Sequence, residues 1–157
     1  MGIEIERKYL VAGEGWRTDV TGLACQQGYL SISNDVAVRV RILGDIASIT
    51  VKGMGALLSR PEFEYPIPVD DAREMLAKHC LKPIVEKKRY HIIHAGNKWD
   101  VDEFLGPNTG LVLAEIELAN EKQVVELPEW IGNEVTEDTR YIEINLGIVT
   151  YGELQER

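Results

Sequence analysis

Same-sign ionisable residues recur two positions apart along this chain: Glu4 and Glu6 followed by Lys8, Arg39 and Arg41, Glu62 and Glu64, Lys87 and Arg89, Asp100 and Asp102, Glu115 and Glu117. In an extended strand successive side chains point to opposite faces, so the members of each pair share a face. Ile5, Val40, Phe63, Val101 and Ile116 lie between pair members and point the other way. Lys52 adds a further strand with a single charge. One such strand alone reads as the solvated face of an antiparallel sheet. Repetition argues otherwise, because a solvent face would mix Thr, Ser, Gln, Lys and Glu, whereas here the charges are sorted by sign, strand by strand.

Acidic pairs and basic pairs facing one cavity suit a polyanion held through a divalent cation. Carboxylate oxygens are ligands for a hard ion such as Mg2+ or Mn2+, which takes further ligands from phosphate. Arginine and lysine bind the remaining phosphate oxygens, arginine often through two parallel hydrogen bonds. Neither Gly-x-x-x-x-Gly-Lys-Ser/Thr nor Gly-x-Gly-x-x-Gly occurs, so side chains must hold the phosphate in place of a helix N-terminus. His79, His91 and His94 have no Gly-x-Ser-x-Gly partner, and packing or surface roles are expected for them.

Strands are expected over 2–11, 25–33, 37–42, 47–52, 59–66, 84–93, 99–104 and 111–118, with turns at Asn34-Asp35, Gly44-Asp45 and Ala95 to Lys98. Pro61 and Pro66 mark an edge or a strand end. Helices are expected over 70–80, capped by Asp70 or Asp71 with Ala72, Met75, Leu76 and His79 on one stripe, over 120–127, and over 138–146. The apolar strand faces can pack against these helices, so the charged faces must turn inward on one another. The expected fold is α+β: a closed eight-stranded antiparallel β-barrel, a tunnel with a charged lumen and helices on the outside. Unpaired buried ions cost several kcal/mol each, so such a lumen must be hydrated and its charges balanced by each other and by bound ions.

The length of 157 residues fits one domain, 1–157. A net charge of −9 and a pI near 4.9 argue against sequence-independent nucleic-acid binding. Cys25 and Cys80 are far apart and lack Cys-x-x-Cys spacing, which argues against zinc and for idle thiols in a reducing cytoplasm. Charges at positions 4, 6, 7 and 8 leave no signal-peptide core, and no apolar run approaches membrane-spanning length. A soluble cytoplasmic protein acting on a small-molecule polyanion is expected, with no membrane or nucleic-acid partner and a homodimer left open.

The opening Glu4-x-Glu6-x-Lys8 within Ile-Glu-Arg-Lys-Tyr-Leu-Val resembles the signature of the CYTH superfamily, the triphosphate tunnel metalloenzymes. The similarity continues in order through Gln27-Gly28-Tyr29-Leu30, Val38 to Arg41, Thr50-Val51-Lys52, Ser59-Arg60-x-Glu62-x-Glu64, Glu86-Lys87-x-Arg89-Tyr90, Asp100-Val101-Asp102, Glu115-Ile116-Glu117 and Glu134-Val135-Thr136. It implies an eight-stranded antiparallel tunnel that binds triphosphates and a divalent metal. By this resemblance Glu4, Glu6, Asp102, Glu115 and Glu117 face the metal, and Lys8, Arg39, Arg41, Lys52, Lys87 and Arg89 bind phosphate. Asp100, Glu62 and Glu64 orient the basic residues or bind metal. Lys87, Glu6 and Tyr29 are the candidate catalytic residues: Tyr29 falls at the position of a tunnel tyrosine, and Lys87, a lysine among cations, is suited to neutralise or protonate a leaving group. After Arg140-Tyr141 the chain runs Ile142-Glu143-Ile144-Asn145 where members often have a polar residue and Asn. That departure weakens the case for the last helix lining the tunnel, with Arg140 still able to reach it.

The short bacterial members that this chain most resembles are inorganic triphosphatases, which implies Mg2+- or Mn2+-dependent hydrolysis of tripolyphosphate to pyrophosphate and phosphate. The alternatives are a class IV-type adenylyl cyclase or an organic triphosphatase acting on ATP or thiamine triphosphate, and a non-catalytic polyphosphate-binding module.

Overall fold

The structure is a computed structural model and describes residues 2–17, 19–54 and 58–156. Its strands are β1 (Ile3–Val11), β2 (Leu23–Ile32), β3 (Val36–Leu43), β4 (Ile46–Gly53), β5 (Ser59–Ile67), β6 (Val85–His94), β7 (Asn97–Phe104), β8 (Val112–Glu117) and β9 (Ile131–Glu134). The helices are α1 (Val69–Lys78), α2 (Thr139–Asn145) and α3 (Tyr151–Gln155).

The antiparallel order β5-β4-β3-β2-β6-β7-β8-β1 closes on itself through a β1–β5 pairing, and β9 adds to the far end of β1. This is the expected eight-stranded barrel with one strand more. Closure rests on a short seam, Ile3 to Ile5 against Ser59 to Pro61. Among the described residues the distal half of β5, beyond that seam, pairs only with β4, so Pro66 does mark a partial edge, whereas Pro61 lies within the seam opposite Ile3. The β6–β7 connection is a two-residue turn, Ala95-Gly96, between paired His94 and Asn97. Both central residues have positive φ (50° and 79°), the conformation that matches the right-handed twist of the flanking strands and favours glycine at the second position.

Alternation decides the faces. Outward residues of β3 and β4 (Val40, Ile42, Ala47) are covered by Ala72 and Leu76 of α1, with Met75 at the margin. His79 is exposed, and the residue before α1 is Pro68 with no capping side chain; Asp70 and Asp71 lie in the first turn, where negative charge complements the helix dipole. Among the described residues no α-helix covers the outward residues of β1, β7 and β8 (Tyr9, Trp99, Val101, Ala114, Ile116). Trp16, in a 3-10 turn over Gly15–Arg17, packs there with Leu118, and Val125, Trp130 and Ile131 flank them. The segment 120–127 expected to be helical contains turns and irregular chain instead, and its Val125 serves as a cover. Three aromatic rings meet edge to face, Tyr9 with Trp99 at 5.6 Å and Trp99 with Trp130 at 6.1 Å, so side chains seal a flank where a helix was expected.

A third apolar cluster lies at one end of the barrel: Val85, Phe104, Leu111, Leu113 and Val135 pack against Ile144 of α2. Asp138 caps α2 by accepting from the Arg140 backbone N–H, so this helix begins where expected. It forms part of the floor of the lumen.

Candidate active site

The inward residues of the barrel line a cavity of about 500 Å3. Glu4, Glu6, Lys8, Tyr29, Arg39, Arg41, Lys52, Lys87, Arg89, Glu115 and Glu117 all reach it, together with Glu62, Glu64 and Asp100. Asp102 alone of the expected site residues does not line it; it lies behind Lys87 and Arg89.

On the basic wall Asp102 is 1% exposed and accepts from Arg89 through both carboxylate oxygens, at 2.8 and 2.9 Å, while Lys87 Nζ lies 2.8 Å away. Burial alone would raise its pKa, but Arg89 and Lys87 outweigh that and hold the carboxyl far below its usual range. Asp102 is therefore ionised and fully occupied by cations. Lys87 is buried, which lowers its pKa against the pull of Asp102, and its Nζ sits 5.2 Å from the Phe104 ring centroid. Arg39 approaches Glu64 at 3.7 Å and donates to Thr50 Oγ1 at 3.3 Å. Tyr29 lies beside this wall; burial would raise its phenol, but Arg39 and Lys52 outweigh it and bring the pKa below the ordinary value.

The acidic wall is formed by β1, β8 and β5. Lys8 Nζ is shared between Glu6 at 3.6 Å and Glu115 at 3.8 Å, and Lys52 between Glu62 at 3.5 Å and Glu4 at 3.7 Å. Burial acts to raise Glu115, yet Lys8 and Arg89 win and place it at about 2. Glu6 fares differently: burial and the neighbouring Glu115 charge push it up to about 7 despite Lys8. Glu4 is raised as well, by burial above all. Oε1 of Glu4 and Oε2 of Glu62 are buried and make no hydrogen bond, and the Lys52 ammonium they share stays at 3.7 and 3.5 Å. Glu4, Glu6, Glu62, Glu115 and Glu117 face Lys8, Lys52 and Arg60 in the cavity, so the wall holds more carboxylates than cations.

That surplus, on oxygen donors, fits a hard divalent cation. Among the described residues no three such donors converge on a single point, so the carboxylates would have to turn toward an ion as it enters. Glu4, Glu6, Glu115 and Glu117 line the cavity and are available to do so, whereas Asp102 is taken by Lys87 and Arg89.

Several lining residues were absent from the expected site. Arg60 is buried in the lumen, 3.9 Å from Glu6; its parity with Glu62 and Glu64 in β5 was the available signal. Gln27, two residues before Tyr29, accepts from Arg41 at 2.8 and 3.1 Å. Asn145 and Ile142 come from α2 and Leu146 caps its C-terminus, so the helix expected over 138–146 lines the cavity after all. Arg140 does not take part: it is exposed and paired with Asp138. His91, at the rim, lies 2.7 Å from Asp100 through Nδ1, with Arg89 and Lys98 on the same carboxylate at 3.7 and 3.9 Å.

A family model described as the CYTH domain matches residues 2–146. The chain belongs to the CYTH domain family. The CYTH match takes in every strand of the barrel and α2, and ends before α3. Within the family, an inorganic triphosphatase of Acetivibrio thermocellus is 49% identical over 146 residues, covering 93% of this chain and 94% of its own. An inorganic triphosphatase of Nitrosomonas europaea is 38% identical over 144 residues, covering 88% and 92%. A crystal structure of an inorganic triphosphatase superposes with a TM-score of 0.66 at 33% identity, over 92% of this chain and 97% of that one. Among the described residues, no helix is long and apolar enough to cross a membrane.

Proposed function

We propose that this CYTH protein hydrolyses inorganic triphosphate to pyrophosphate and phosphate, with Mg2+ or Mn2+ as cofactor. The observation that carries the reading is the cavity itself: a basic wall facing a wall that holds more carboxylates than cations. The similarity to the two inorganic triphosphatases over nearly their whole lengths supports it.

Lys8, Arg39, Arg41, Lys52, Lys87 and Arg89 bind the phosphate oxygens, and Arg60 joins them. Glu4, Glu6, Glu115 and Glu117 hold the metal. Asp102 serves as the buried anion that aims Lys87 and Arg89, in place of the metal-binding role its position suggests. A divalent cation, when bound, neutralises phosphate charge and activates water. Water adds through its oxygen to a phosphorus, a P–O–P bridge breaks, the released phosphate group takes the displaced electron pair, and the water gives up a proton to the departing oxygen or to solvent. The basic side chains, already ordered before substrate arrives, stabilise the charge that grows on the transferring group. Lys87 neutralises or protonates the leaving oxygen, and Tyr29 offers an O–H donor from beside Arg39.

The test is phosphate release from tripolyphosphate, ATP, thiamine triphosphate and long-chain polyphosphate, each with Mg2+, Mn2+ or chelator. Fastest metal-dependent release from tripolyphosphate is expected. Cyclic AMP formed from ATP at a comparable rate, or tight binding of tripolyphosphate without turnover, would overturn the reading.

A further inference from the structure

At the floor of the cavity, α2 places a single polar side chain among apolar ones. Ile142, Ile144 and Leu146 surround Asn145 in sequence, and Ile144 is fully buried against Val85, Phe104 and Leu113. An asparagine at such a site, 8% exposed, costs desolvation unless its polar groups are used. They are used on the basic wall. Lys87 Nζ donates to Asn145 Oδ1 at 3.3 Å, and Gln27 Nε2 donates to the Asn145 carbonyl at 3.2 Å. Gln27 Oε1 in turn accepts from Arg41 Nε and Nη2.

We infer that Asn145 and Gln27 are positioning residues: α2, through Asn145, fixes the direction of the Lys87 ammonium, and through Gln27 it fixes the Arg41 guanidinium. This deepens, and rests on, the reading of the cavity as a triphosphate site. A lysine ammonium has three N–H donors. Asp102, at 2.8 Å, and Asn145, at 3.3 Å, engage two of them, which leaves the third for the cavity that Lys87 lines. With Asp102 alone the ammonium would turn freely about one ion pair. Arg41 is likewise a long side chain whose freedom opposes binding, and the two bonds to Gln27 remove that freedom before phosphate arrives. The polar chain Arg41–Gln27–Asn145–Lys87–Asp102–Arg89 therefore joins three cations of the basic wall to one helix, held in turn by Ile144. The geometry makes α2 part of the machinery and not merely a stopper.

Two measurements test this. With 15N-labelled lysine, the buried Lys87 ammonium should exchange its protons slowly with water in the wild type, quickly in Asn145→Leu, and slowly again in Asn145→Asp, which keeps shape and acceptor. Unchanged exchange in the leucine variant overturns the inference. This readout uses no substrate, so a wild type that releases no phosphate sinks the proposed function without deciding this point. In kinetics, Asn145→Leu should lower kcat for tripolyphosphate about tenfold, and add less than about twofold when Lys87 is already alanine. An equal loss in both backgrounds means that the helix acts through packing alone and overturns the inference. Should the leucine variant not fold, Gln27→Leu provides the parallel check. It should raise KM about tenfold in the wild type and leave it unmoved in Arg41→Ala, and an equal rise in both overturns the Gln27 link.

Discussion

On the wall formed by β6 and β7, Asp102 accepts two hydrogen bonds from Arg89 and an ion pair from Lys87, and Asn145 takes a further Lys87 bond. On the opposite wall, formed by β1, β8 and β5, each lysine is divided between two glutamates at 3.5 to 3.8 Å, too long for a good hydrogen bond to either. Both walls belong to one barrel and differ in how completely their charges are answered. Around Asp102 the basic wall is finished by the protein, and Arg39 keeps a buried Nε without a partner, so the wall stands ready for an anion. The acidic wall reaches balance only with an added cation. Preorganised cations and under-neutralised carboxylates are what a site for a metal-bound polyanion requires, since each half lacks what the ligand brings.

The comparison breaks most directly at Asp102. Asp102→Ala leaves Lys87 and Arg89 buried without their anion, and losing one partner of a buried pair costs about 3–5 kcal/mol. A large fall in the denaturation midpoint is expected, with phosphate release lost as well. An Asp102→Ala protein as stable as the wild type would mean that the basic wall does not depend on this carboxylate. On the other wall, Glu115→Gln combined with Glu117→Gln should lower metal-dependent phosphate release by about 100-fold or more, the scale of removing a preorganised charge contact. The double variant should lose stability through Glu115, which Lys8 and Arg89 hold at about 2, but less than Asp102→Ala, because Lys8 keeps Glu6 and Arg89 keeps Asp102. Intact metal-dependent activity in it would remove β8 from the metal site.

Glu6 gives a pH test of the same contrast. Its carboxyl is raised from 4.5 to about 7 in the folded protein, by burial first and by Glu115 second. A carboxyl raised on folding contributes stability that is fully present below about 4.5 and is lost as pH rises through about 7. Metal-free protein in chelator should therefore lose stability between pH 5 and pH 8, by on the order of 2 kcal/mol. Glu115, held at about 2, contributes in the opposite sense, but its window lies at lower pH. Saturating Mg2+ should flatten the slope, because the cation replaces the proton on the wall. A metal-free protein with no such slope, followed by chemical denaturation across that range, would show that the acidic wall is already balanced.

The barrel was legible because period-2 alternation is a backbone rule: Arg39 and Arg41 must share a face whichever fold they enter, and sign-sorted pairs have few solvated explanations. The same rule placed Glu4, Glu6 and Lys8 inside. It could not say which charge would meet which across the lumen, since that depends on register and on the stagger of the closed sheet. Asp102 therefore looked like a partner of Glu115, while the register sets it against Arg89. Neutral residues escaped for a related reason. Gln27 and Asn145 carry no charge pattern, and Asn145 lies on a helix whose Ile142 and Ile144 suggested packing alone. Strand β9 is four residues long and follows Pro128, too short for an alternation signal. The Trp99 and Trp130 contact that covers the β7 and β8 flank joins residues far apart in sequence, which no local pattern reveals.

The smallest expected effect concerns β5, where the two walls meet. Glu64 is half exposed; its Oε2 accepts from Thr50 Oγ1 at 3.2 Å and lies 3.7 Å from Arg39, so it leans toward the basic wall. Glu62 leans the other way: its buried Oε2 shares the Lys52 ammonium with Glu4, at 3.5 Å, and makes no hydrogen bond. An exposed carboxylate contributes little through its ion pair, because water screens the attraction. Glu64→Gln should change KM for tripolyphosphate by less than about threefold and leave the metal concentration needed for half-maximal activity unmoved. Glu62→Gln removes charge from the under-neutralised wall and should raise that concentration. If the two variants shift metal dependence equally, the division between the walls does not fall within β5, and Glu64 must be counted with the carboxylates that face the cation.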